Sequence, residues 1–191
     1  PHMGVDALYI ASQIVVAVQG LVTRRTSPTE PVIIGIGKLN AGTTYNAVAA
    51  FAEMEGTTRT ISQESRDRVR AQVSETAQSI AALYGGTAEI EWTDFAAALV
   101  NDPQVCEEAA QVVDELLGEG HVVTDRELSL SGDNFAEFEL YKPGAYAYLG
   151  TGNPDLPHTM ITNHNGGFDV DENALVTGAG LYVGYTVARL G

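Results

Sequence analysis

Between residues 33 and 60 the chain alternates apolar and polar positions with a period of two on both sides of a loop. Ile34, Ile36 and Leu39 make the first run, and Val48, Ala50, Ala52 and Met54 the second. The turn-prone stretch 40–44 (NAGTT) separates them. Such a pattern predicts two antiparallel strands, with Asn46 where the second begins and Arg59 near its far end. Elsewhere the period is helical. Residues 5–25 carry one apolar stripe of Leu8, Ala11, Val15, Val18 and Val22 and a second of Ile10, Ile14, Ala17 and Leu21. That is more surface than one sheet face covers, so part of this helix is expected to meet another chain or domain. Ser62 is placed to cap a second helix, with Val69, Val73, Ala77, Ile80 and Tyr84 inward and Gly85-Gly86 as its stop. Residues 87–95 alternate again, a third strand. The order helix, strand, strand, helix, strand is that of a split βαβ, ferredoxin-like unit without its first strand.

The second half reads differently. Asp102-Pro103 opens a helix over 104–117, with Val105, Ala109, Val112, Val113 and Leu116 inward and Cys106 packed as a small hydrophobe. Short strands are expected at 121–124 and 145–149, and a short helix at 132–140. Residues 150–167 form a long loop rich in Gly, Pro, Asn and His, a length found in functional or disordered segments. A last helix, 171–190, is capped by Asp171 and turns Leu175, Ala179, Tyr182, Val183 and Val187 inward.

Composition narrows the function classes. With 45% apolar and 18% charged residues the chain is that of an ordinary globular protein, and 191 residues suffice for one large domain or two small ones. A net charge of -15 with only ten Lys and Arg argues against a nucleic-acid surface. The single Cys106 makes no internal disulfide, no apolar run is expected to cross a membrane, and Pro1-His2-Met3 does not open a signal peptide. A cytoplasmic location is the expectation. The start at Pro1 suggests a processed, tagged or truncated chain.

The chemistry-bearing residues are sparse. Asn46 and Arg59 flank one strand; an amide and a guanidinium fork near one sheet can hold a carboxylate. Equally, Asn46 can cap the loop and Arg59 can sit on a solvated strand end. Of His2, His121, His158 and His164, only His164 has suggestive company, between Asn163 and Asn165 ahead of Gly166-Gly167-Phe168. A neutral imidazole is a zinc ligand, and a loop histidine is also an ordinary surface residue. Asp133 and Glu137, four apart, share a helical face in this reading, as a carboxylate pair or as solvated surface. No spacing of zinc ligands, nucleophile elbow, phosphate-binding loop or dinucleotide fingerprint is present.

Taken in order, the segments PHMGVDA (1–7), GKLNAGTTYN (37–46), GTTRT (56–60), VNDP (100–103), SGDNF (131–135), AYAYLGTGNP (145–154) and HNGGFDVDENAL (164–175) resemble the C-terminal half of a zinc amidohydrolase. The family is that of aminoacylases, hippurate hydrolases and carboxypeptidase G, peptidase family M20. The resemblance implies a ferredoxin-like lid and dimerisation domain, lacking its first strand, over residues 1–97. Residues 98–191 then form the returning C-terminal part of an α/β catalytic domain. It implies zinc, or another divalent metal such as manganese, in the complete enzyme, with His164 as a metal ligand. Asn46, Arg59 and His2 are implied substrate-binding residues. A small N-acyl-amino-acid or peptide-like substrate and a homodimer through the lid are the implied partners, with no nucleic acid or membrane. The remaining metal ligands and the general base of that family have no counterpart here, so the chain alone is expected to be inactive. The alternative is a non-catalytic dimerisation or small-molecule-binding module derived from such an enzyme.

Overall fold

In the computed structural model, which describes residues 1–191, α1 (Ala7–Gly20) starts where the Asp6 carboxylate accepts the amides of Leu8 and Tyr9 at 3.1 and 3.3 Å. A wider turn, Leu21–Arg25, continues it, with Arg24 and Arg25 at the negative end of the helix dipole. Together, Ala7–Arg25 is 19 residues with a mean hydropathy of 1.3, long and apolar enough to cross a membrane by length and composition. This corrects the expectation that no run reaches that length. The helix packs instead as a core element: Ile10, Ala11, Ile14, Val18 and Leu21 are buried. Of the two stripes only Leu8 faces solvent, Val15, Ala17 and Val22 being half-buried; Val16, outside both stripes, is also exposed.

β1 (Ile33–Ala41) and β2 (Ala52–Arg59) pair antiparallel from Ile33↔Arg59 to Ala41↔Ala52. The register shifts between Ile36 and Lys38, so Gly37 is an extra residue in β1. That bulge explains how Ile34, Ile36 and Leu39 share one face although Leu39 breaks strict alternation. Opposite Ile36, Gly56 has no room for a side chain: a Cβ there would lie 2.5 Å from the Gly35 carbonyl oxygen. The second strand starts at Ala52, so Asn46, Val48 and Ala50 belong to the connecting loop. Polar and small residues over 42–47 leave nothing for a ladder to bury.

α2 (Gln63–Leu83) is capped by Ser62, whose hydroxyl accepts the Ser65 amide at 3.1 Å. α1 packs on both strands and α2 on β2. Ile10, Ile14, Val18, Ile34, Val69, Ala77 and Ala81 form the core between these layers. Residues 87–95 make no ladder, against the third strand expected there. Their alternation still places Ala88 and Ile90 on the core; what they lack is a backbone to bond. These elements make one compact unit, Pro1–Ala98, which also takes in Ser129–Asn134.

The other unit comprises Leu99–Leu128 and Phe135–Gly191. Asp102 caps α3 (Pro103–Leu117), accepting from Gln104 and Val105 at 2.9 and 3.0 Å, with Pro103 in the first turn and Gly118 at the end. α3 packs on α5 (Asn173–Leu190). Glu108 clamps the pair, accepting from Tyr185 Oη at 3.1 Å and from Arg189 at 2.6 Å. The large apolar residues of α5 do not face inward as expected. No residue of α5 is buried, and Tyr182 stays 83% exposed. The face against α3 is made of glycines: a Cβ on Gly184 would meet Val112 Cγ1 at 2.8 Å. Strands at 121–124 and 145–149 do not form, and α4 is shorter than expected, Phe135–Glu139. Asp133 therefore precedes the helix instead of sharing its face with Glu137 as expected.

Candidate functional site

The chemistry-bearing residues of the first unit sit at two ends of the hairpin. At one end, the Gly4 amide donates to the Pro1 carbonyl at 3.2 Å, forming the turn that carries exposed His2. The Ala7 amide donates to the Ala49 carbonyl at 2.8 Å, tying the start of α1 to the β1–β2 loop. On that loop Asn46 is exposed, and its Oδ1 accepts from Thr44 Oγ1 at 3.2 Å. His2 and Asn46 thus lie at one end.

Arg59 lies at the other, paired with Ile33. Seven residue steps separate it from Ala52, about 23 Å along an extended strand. Arg59 therefore sits at the end of β2 away from the loop that carries Asn46. The Arg59 Nη1–H donates to the Leu130 carbonyl at 2.8 Å, holding the Ser129–Asn134 segment. That contact uses one of its five donors and leaves the fork exposed.

In the second unit, His164 has φ +62° and is the only non-glycine residue with a positive φ. A left-handed histidine costs free energy, and such costs gather at functional sites. Its loop is held from both sides rather than disordered. Asn165 Oδ1 accepts the Gly167 amide at 2.9 Å, and the Phe168 amide donates to the Asn165 carbonyl at 3.0 Å. Behind it, Asn153 Nδ2 donates to Asp171 Oδ2 at 2.7 Å, and the Asp171 amide donates to the Thr151 carbonyl at 2.9 Å. Buried Thr159 accepts the Asn153 amide at 2.9 Å and donates to the Leu156 carbonyl at 2.8 Å. The bond from Asn153, and after it the bonds from Asn173, hold the Asp171 carboxyl below its usual range. The sequence offered Asp171 as the helix cap; the N-cap of α5 is instead Glu172, with no side-chain bond, and Asp171 Oδ1 accepts the Asn173 amide at 3.0 Å from one position earlier. The Asn153 partnership was not signalled by any spacing.

The donor set for a metal is tested by what surrounds His164. No three His, Cys, Asp or Glu side chains of this chain converge. His158 and Asp169, on the same loop, approach only to 3.8 Å and face solvent. A catalytic zinc uses about three protein ligands, so these residues do not make a metal centre by themselves. Two open cavities, of about 290 Å³ around Gly35 to Thr57 and about 450 Å³ around Val100 to Gly144, include none of His2, Asn46, Arg59 and His164.

The profile of peptidase family M20/M25/M40 matches residues 6–187. The chain is 32% identical over 180 residues to thermostable carboxypeptidase 1 of Saccharolobus solfataricus, covering 94% of this chain and 44% of that protein. It is 31% identical over 175 residues to N-acetylcysteine deacetylase of Bacillus subtilis, covering 92% and 44% respectively. A solved dinuclear metal-binding peptidase of the M20 family from Bacillus subtilis superposes with a TM-score of 0.78 at 27% identity, over 97% of this chain and 46% of that one. The mixed α/β fold is therefore that of M20 peptidase structures. The chain spans less than half the length of the proteins it matches.

Proposed function

The chain belongs to peptidase family M20/M25/M40, and on that premise we propose that it is part of a metal-dependent amidohydrolase acting on N-acyl-amino acids or small peptide-like substrates. The observation that carries this reading is His164, whose strained backbone is held by an ordered loop. In this reading His164 supplies one imidazole to a divalent metal, zinc or another, whose other ligands lie outside residues 1–191. Such a metal would polarise the scissile carbonyl and activate water. Residues 1–97 act as a ferredoxin-like lid and residues 98–191 as a portion of the catalytic domain. The carboxypeptidase- and deacetylase-named relatives support an amide substrate with a free carboxylate.

The separation of Asn46 from Arg59 gives them separate tasks. The exposed Arg59 fork suits a substrate carboxylate, with Leu130 orienting it. Asn46 and His2, at the opposite end, offer an amide and an imidazole to a different part of the substrate or to a site on a second copy. The latter fits a homodimer through the lid. The test is turnover of N-acyl-amino acids by a polypeptide carrying this sequence together with a complete ligand set. R59A is expected to raise KM about 10- to 100-fold, the loss of a charge-assisted pair. Unchanged kinetics for both R59A and N46A would remove the substrate-side assignment.

The same facts leave a second reading. Without a converging donor set, the chain serves as a non-catalytic binding or dimerisation module, and H164A then changes nothing in metal affinity.

A further inference from the structure

We propose that the cavity beside the start of α3 binds a free α-amino acid, its ammonium on Glu139 and its carboxylate on Lys142. The cavity measures about 450 Å³, within the range of small-molecule sites, and is lined by residues 100–103 and 139–144 of the second unit. Its walls are fixed by bonds of the chain itself. The Asp102 amide donates to the Gly144 carbonyl at 2.8 Å. Asn101 bonds both backbone groups of Tyr146, Nδ2 donating to the carbonyl at 3.0 Å and Oδ1 accepting from the amide at 2.9 Å. Gly144 is packed so closely that a Cβ there would lie 3.1 Å from Phe135 Cζ and 3.3 Å from Glu139 Cγ. Walls already in place leave little to be ordered when a ligand enters.

Of the amide and charged side chains that line the cavity, two are engaged elsewhere. Asn101 is held by Tyr146, and Asp102 Oδ1 accepts the Gln104 and Val105 amides that it caps. Glu139 and Lys142 are left. Glu139 Oε2 accepts the Val100 amide at 3.2 Å, but Oε1, withdrawn from water, has no donor. A carboxylate oxygen so placed costs free energy until a donor reaches it, and an ammonium offers three. Lys142 stands three positions on, in the turn after α4, where its amide donates to the Phe138 carbonyl at 3.1 Å. Its side chain is exposed and forms no ion pair, with Glu139 or with any other acid.

The ligand follows from these two groups. An acceptor without a donor and a cation without an anion line one cavity, three positions apart, a spacing at which side chains are neighbours on a helical turn. Their complement is an ammonium and a carboxylate held close together. An α-amino acid carries both on one carbon, whereas the termini of a peptide stand further apart. The last torsion of a glutamate is soft, so a small turn of the Glu139 carboxyl presents Oε1 to the ammonium. Pro103, Leu140 and Pro143 supply an apolar wall for the ligand's side chain, which favours an aliphatic one. On the amidohydrolase reading a free amino acid is also the product of the reaction, and the site then reports product. The binding itself rests on the cavity alone, and its readout does not involve hydrolysis, so either can fail without the other.

The test titrates L-leucine into the isotope-labelled 191-residue chain and follows its backbone amides by NMR. Saturable shifts are expected at Val100, Lys142 and Gly144, with a Kd of about 1 mM. N-acetyl-leucine, which lacks the ammonium, and leucinamide, which lacks the carboxylate, should each bind about tenfold more weakly. K142A alters an exposed side chain and should weaken leucine about tenfold while leaving leucinamide unchanged. E139Q keeps the shape of the side chain and should weaken leucine while leaving N-acetyl-leucine unchanged. No saturable shift with leucine, equal affinities for leucine and N-acetyl-leucine, or undiminished binding of leucine to K142A would overturn the site.

Discussion

Asn153 and Asp171, eighteen positions apart, close the loop that carries His164: Asn153 Nδ2 donates to Asp171 Oδ2 at 2.7 Å. This bond leads the interactions that depress the Asp171 carboxyl. A carboxyl depressed in the folded state stabilises it above the unfolded value near 3.8, and that stabilisation is lost as pH falls through the folded value. N153A is expected to raise the Asp171 value and to speed amide exchange across 161–171 about tenfold. Carboxyl titration by NMR checks the first and hydrogen exchange the second.

Glu108 makes a similar acid-sensitive clamp between α3 and α5. Burial alone would raise its carboxyl, but bonds from Gln104 and Tyr185 and the charge of Arg189 outweigh it and hold it below the ordinary value near 4.5. The clamp is therefore complete above about pH 4.5 and lets go as pH falls through the lowered value. In E108Q the acid limb of a helix-content titration should lose its dependence on this group. An acid limb identical to wild type would show that the clamp contributes nothing.

Gly56→Ala tests the close approach of the two strands. The new methyl would sit 2.5 Å from a backbone oxygen and 2.8 Å from Ile36 Cδ1, and the backbone cannot rotate away. A loss of about 1–3 kcal/mol is expected in urea denaturation, without change in the slope.

His164→Gly should separate stability from function. Relieving the left-handed strain at φ +62° should add about 1 kcal/mol to stability while removing the imidazole. H164A should destabilise instead. Equal stabilities of the two variants would mean that the backbone at 164 carries no strain.

What was legible in the sequence was local. The caps at Ser62 and Asp102, Pro103 at the start of α3 and Gly118 at its end are all where the residues alone place them, because a cap is decided within three or four positions. The β1–β2 pairing was legible too, since both runs and their loop are contiguous. Three further strands that the residues suggested do not form, because a ladder needs a second backbone that no local pattern reveals. The 87–95 segment keeps its alternation and still lacks a partner. On α5 the large apolar residues misled, since close packing on α3 selects the small face at Gly180 and Gly184. His164 was found by its neighbours in sequence, whereas its backbone strain and the Asn153–Asp171 closure appear only in the fold.

The most direct test of the account is zinc-dependent release of free amino acid from N-acyl-amino acids, measured on the 191 residues alone and on a polypeptide joining them to a complete ligand set. The account predicts no turnover from the chain alone, turnover from the longer polypeptide, and its loss in H164A. Zinc-dependent turnover by the 191 residues alone, or full activity of H164A in the longer polypeptide, would contradict it.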